Sequence, residues 1–189
     1  MTVTSSTPGT WREPGGTRVA FPDAMDAWVH AARDVLVATA RRYHAYVTYG
    51  QLAEQVQVRT GIHTRTQLPN WIGKVLGRVA DDALDRGEPP LTALCVRQNE
   101  TVGDGYIYVL KIAGEPVPED LDQHAAVARL ECYRFFGAVD LPADGGRPVL
   151  PPRVAAARDR RTRKPSLPAP VCPHCHVQLP ASGRCDNCT

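Results

Sequence analysis

The sequence predicts an α+β protein: one small domain of about four helices and a β-hairpin, then a linker and a short cysteine-rich unit. Three observations carry this. Apolar residues recur at three- and four-residue spacing in four separate segments, as they do on amphipathic helices. YIYVLKIA, rich in β-branched and aromatic residues, follows a turn-like NETVGDG. Four of the six cysteines fall in the segment VCPHCHVQLPASGRCDNCT that closes the chain.

Residues 1–20 are polar and rich in Thr, Pro and Gly, and are expected to be disordered. The folded domain is expected over residues 21–138. Its first helix is capped by Asp23 and presents Met25, Trp28, Val29, Ala32, Leu36, Thr39 and Tyr43 on one face. Thr48 with Gln51 three residues on is a capping-box pattern, opening a short helix that buries Leu52, Ala53 and Val56. VRTGIHTRTQ reads as a loop. A third helix is expected from about Pro69, suited to a first turn, to Arg86, with Gly87 as its stop. LTALCVR reads as a strand, YIYVLKIA as its hairpin partner, and an amphipathic helix from about Glu119 to Phe136 closes the domain. Residues 139–170, dominated by Pro and Arg, read as a flexible linker, and residues 171–189 form the cysteine unit.

Three helices followed by a hairpin is the order of a winged helix, a helix-turn-helix variant that docks its third helix in a DNA groove. The exposed side of that helix carries Asn70, Lys74 and Arg78, spaced four apart. Lys74 and Arg78 suit phosphates, and Asn70 suits a base edge. The alternative is that these three are simply a solvated face. Charge weighs against it, because the formal net charge of +2 is segregated. Residues 35–80 hold Arg41, Arg42, Arg59, Arg65, Lys74 and Arg78 against Glu54 alone, residues 81–145 balance at −8, and residues 153–164 at +5. Nucleic-acid contacts are therefore expected from Tyr49, Arg59, Arg65, Asn70, Lys74 and Arg78, and from the linker through Arg158, Arg160, Arg161, Arg163 and Lys164. DNA is the expected partner, with RNA as the alternative.

YVTYGQLAEQV followed by NWIGKVLGRVA resembles the C-terminal DNA-binding domain of the alkylguanine-DNA alkyltransferases and alkyltransferase-like proteins. Thr48, Tyr49, Gly50, Leu52 and Ala53 match that family's corner, and Ile72, Gly73, Leu76 and Gly77 its recognition helix. Cys95 stands where its nucleophile stands, and Gly103–Tyr106 matches its Gly-Tyr turn. The resemblance covers about sixty residues, a third of the chain. It implies a DNA-facing helix and a fold for recognising or repairing lesions. Two departures bear on activity. The family's Pro-Cys-His-Arg is Leu94-Cys95-Val96-Arg97 here, without the histidine that helps generate a thiolate. Asn70 replaces the arginine that enters the base stack. Cys95 is thus expected to be an inert buried thiol rather than a nucleophile.

Cys172–Cys175 and Cys185–Cys188 are two Cys-x-x-Cys knuckles separated by nine residues. Two such knuckles complete a tetrahedral zinc site, and four thiolates leave no open position, so one structural Zn2+ is expected. Metal binding would supply the folding energy that so short a segment lacks. His174 and His176 are then unnecessary as ligands. A disulfide pair is disfavoured in a reducing compartment, and a redox dithiol lacks the surrounding thioredoxin-like pattern.

No run approaches eighteen apolar residues, which excludes a helical membrane span, and the N-terminus lacks a secretory pattern, so the cytoplasm is the default location. A phosphate-binding glycine loop, a His-Glu-x-x-His pair and a nucleophile elbow are all absent, which favours a non-enzyme. The alternatives are an adaptor whose zinc ribbon recruits a protein partner to nucleic acid, and an alkyltransferase-like lesion recognition or repair protein.

Overall fold

Pro22 and Asp23 both lie in the first turn of α1 (Phe21–Ala40), where a missing N–H is harmless and a carboxylate meets the positive helix end. Asp23 is not the cap: Ala20 holds that position without a side-chain hydrogen bond. These elements come from a computed structural model that describes residues 9–162, 171–179, 184, 185, 187 and 188. The chain divides into two units, Met1–Val154 and Ala155–Thr189. Its fold is mixed helix and sheet.

In the first unit, α1 packs on α2 (Tyr49–Thr60) and α3 (Ile72–Asp85). Both halves of the capping box form at α2: Gln51 N donates to Thr48 Oγ1 at 3.3 Å, and Thr48 N donates to Gln51 Oε1 at 2.8 Å. Gly61 ends that helix at φ +63°, a left-handed conformation that costs glycine little. The core between the three helices holds Trp28, Leu36, Leu52, Val56, Trp71 and Val75, all fully or almost fully buried. A second cluster joins α4 (Tyr106–Ile112) to α5 (Leu121–Phe135) through Tyr106, Val109, Leu110, Ala125 and Ala128.

The expected hairpin does not form. Leu91–Leu94 is a single 3-10 turn running into β5 (Cys95–Val96), which pairs in parallel with β3 (Val47–Thr48). YIYVLKIA is helical as α4. Its buried residues, Tyr106, Val109 and Leu110, follow helical spacing and pack on the alanine face of α5, while Ile107 and Tyr108 are 40% and 43% exposed. Tertiary burial there overrode β-propensity.

Three further expectations change. The segment expected to be disordered contributes β1 (Thr10–Arg12) and β2 (Thr17–Arg18), an antiparallel pair. The expected loop VRTGIHTRTQ supplies β4 (Ile62–Thr64), which adds to β1 with Trp11 opposite His63. The expected linker contains α6 (Pro152–Thr162). Arg163 and Lys164 lie outside the described residues. None of the helices described is long and apolar enough to cross a membrane.

Candidate nucleic-acid face, adjoining cavity and metal centre

The predicted recognition helix starts later than its sequence suggests. Asn70 sits in a 3-10 turn (Leu68–Asn70), and α3 proper begins at Ile72. Ile72, Val75, Leu76, Val79, Ala80 and Ala83 are buried, which turns Lys74 and Arg78 outward. Asn70 and Lys74 are exposed. Arg78 is exposed but engaged, since its Nη1 lies 2.7 Å from Asp26 Oδ1 on α1. Such a surface pair contributes about 0–1 kcal/mol, little enough for a phosphate to compete.

The other expected contacts are dispersed. Arg59 is exposed in the last turn of α2. Arg65 carries its guanidinium 5.8 Å from the Trp11 ring, and Trp11 stacks on His63 at 5.9 Å. Arg158 is half-buried, and Arg160 and Arg161 are exposed at the C-terminal end of α6, where cations suit the helix dipole.

Tyr49 is half-buried rather than freely exposed. It forms one wall of a cavity of about 520 Å³ that also has Ile72, Leu76, Thr92, Cys95, Tyr106 and Val109 on its surface. Gly73 and Gly77 line it one helical turn apart on α3. A side chain at Gly73 would find open space, and one at Gly77 would first meet Tyr108 at 3.9 Å. Their lack of side chains therefore opens the cavity beside the face that carries Lys74. Gly103 has a different role. A Cβ there would fall on the Tyr49 hydroxyl, so any larger residue would have to displace that ring. Burial pushes the Tyr49 phenol up to about 12, so it remains protonated. At the rim Arg97 Nη2 lies 2.7 Å from Asp104 Oδ2. The sequence does not reveal the cavity, because α4, which closes it, has the composition of a strand. GDGY and the two α3 glycines were the available signal.

Cys95 is 2% exposed, and burial drives its thiol pKa well above that of an ordinary cysteine. Val96 beside it is fully buried and supplies no base. Thiolate attack requires the deprotonated form, which this environment opposes. Cys132 on α5 is likewise buried and pushed up to about 12 by desolvation. Under native conditions at pH 7.5, iodoacetamide is expected to leave both cysteines unmodified and to label them only after denaturation. Rapid native labelling of Cys95, seen by peptide mass, would contradict this.

In the second unit the Sγ atoms of Cys172, Cys175, Cys185 and Cys188 all lie within 4.8 Å of one another. Cys175 and Cys185 are 3.4 Å apart, and Cys172 and Cys188 are 3.9 Å apart. A disulfide needs about 2.05 Å. Four thiolates at about 2.3 Å from one tetrahedral ion would stand ~3.8 Å apart, so the donor set fits such an ion. The first knuckle is held by its own backbone: His176 N donates to Cys172 O at 2.9 Å, and Cys172 N donates to Val177 O at 2.8 Å. The chain reverses through His176 at φ +57°. Backbone amides of Cys175 and His174 aimed at Cys172 lower its thiol to about 6, while the neighbouring thiols shift Cys185 and Cys188 the other way.

No family model, curated protein or solved structure matches this chain.

Proposed function

We propose that this chain is a non-catalytic DNA-binding protein. In this reading the helical domain docks α3 in a groove without the hairpin wing that its sequence suggested, and a zinc ribbon formed by Cys172, Cys175, Cys185 and Cys188 gives a second grip. The observation that carries the reading is the pairing of two features on one helix. Lys74 and Arg78 face outward on α3, and the neighbouring Gly73 and Gly77 open a cavity large enough for a base-sized group. The positive balance of residues 35–80 supports the same face. The cavity gives the lesion-recognition reading its physical content: a displaced base would enter among Tyr49, Ile72 and Tyr106. The buried, protonated Cys95 supports recognition without alkyl transfer.

Lys74→Ala combined with Arg78→Ala removes two phosphate contacts. The slope of log K against log salt is then expected to fall by about 2, and affinity for duplex DNA to drop in low salt. Fluorescence anisotropy across a salt series measures both. Affinity equal to that of the parent protein would reject α3 as the docking face.

A second reading, an adaptor, draws on the tail itself. Val171 and Val177 are 56% and 47% exposed beside the cysteine cluster, apolar surface that suits a protein partner.

A further inference from the structure

We propose that a second cavity, walled by α5 and the segment 147–152, is a binding site for a phosphate monoester dianion. It encloses about 270 Å³ and is separate from the cavity beside α3. Arg129, Arg147, His44 and Tyr46 line it, together with apolar groups such as Leu150 and Pro151, and no carboxylate does.

The central observation is Arg129. It is 3% exposed, its Nη1 donates to Ala93 O at 3.1 Å, and its Nη2 has no hydrogen-bond partner among the described residues. A buried guanidinium with an unpaired donor is costly, and an acceptor reaching this sealed atom through a small shift of the cavity wall would relieve that cost. Two carboxylates stand near: Glu100 accepts Arg153 N at 2.8 Å, lies 3.6 Å from Arg153 Nε and is hydrogen-bonded to Tyr46, and Asp122 accepts Val102 N at 2.8 Å. Burial lowers the Arg129 pKa against the opposing pull of the Asp122 carboxylate.

Arg147 lines the same cavity and adds a second positive charge. Its backbone, not its side chain, fixes the strap: Tyr43 Oη donates to Arg147 O at 3.2 Å and accepts from Arg147 N at 3.1 Å. Its side chain is exposed and makes no hydrogen bond or ion pair among the described residues, and His44, held at φ +65°, lines the same cavity. Two arginines match a dianion in charge, and their planar donors match phosphate oxygens in geometry. The apolar wall suits the organic body of an ester. This inference does not depend on the DNA-facing reading of α3.

The test is a titration of the full-length, metal-loaded protein with phenyl phosphate and with inorganic phosphate, at ionic strength held constant with chloride. A saturable rise in melting temperature is expected with both, larger for phenyl phosphate and absent with phenol. Arg147→Gln is expected to weaken phenyl phosphate at least tenfold while melting like the parent in chloride, and Lys74→Ala to leave the response intact. Arg129→Met is expected to lose the response; if that variant does not fold, Arg147→Gln decides. Competition by a 5′-phosphorylated oligonucleotide, but not by its 5′-hydroxyl form, would assign the ester to DNA ends. No competition by either would assign it to free phosphate esters. No saturable rise, an undiminished response in Arg147→Gln, or a response abolished by Lys74→Ala would each overturn the proposal.

Discussion

Chelation of the metal at neutral pH is expected to unfold the segment from Val171 to Cys188 while the melting of the larger unit stays unchanged. Apparent binding energies of structural zinc sites, about 10–16 kcal/mol, exceed anything so short a segment can gain by burying side chains. Its regular backbone pairing among the described residues is slight: the Val171–Gln178 bridge and the Cys172–Val177 and His176–Cys172 bonds. Without an ion the thiols at 3.4–3.9 Å share protons, Cys188 being raised to about 12, and metal binding must displace them. Amide NMR signals of this segment should therefore collapse on adding a chelator and return with one equivalent of zinc. Cys175→Ser is expected to prevent that return. Signals indifferent to chelator, or a metal content near zero in protein purified without chelator, would rule out the centre.

Trp28→Ala is expected to cost the larger unit about 3–5 kcal/mol, lowering its melting temperature by roughly 10 °C. Trp28 is fully buried where α1, α3 and β4 meet. Its ring lies 4.5 Å from that of Trp71 at 40°, and Phe21 meets its edge at 6.0 Å. Its Nε1 also donates to Ile62 O at 3.0 Å, which ties the helical core to the small sheet. Removing the ring leaves both a void and an acceptor without its donor. Trp28→Phe keeps most of the packing and loses the hydrogen bond, so a cost of about 1–2 kcal/mol is expected. Denaturant unfolding followed by circular dichroism separates the two variants. If Trp28→Ala stayed within ~1 kcal/mol of the parent, the junction would not hold the fold together as described.

How much of this was legible in the sequence depended on how local each signal is. Thr48 and Gln51 formed their capping box because its partners lie within one turn. The apolar stripe Ile72, Val75, Leu76, Val79 and Ala83 specified one face of α3 wherever that face came to pack. The YIYVLKIA segment carried a conflicting message. Its residues favour strands, while its neighbours in space, Ala125 and Ala128, are some twenty residues away and reward a helix. The small sheet was illegible for the same reason, since Trp11 and His63 pair across about fifty residues. Arg129 stood in an amphipathic helix like any surface arginine, and only packing showed that it is buried.

The sequence by itself determined the helical core and the convergence of the four cysteines, because both follow from spacings of a few residues that fix which side chains share a face or a knuckle. Only the tertiary structure decided that α4 is a helix, that Gly73, Gly77 and Tyr49 shape a cavity over a shielded Cys95, and that Arg129 has a vacant donor. Cavities and burial are set by segments distant in the chain, whose approach releases more free energy than the local preferences it overrides.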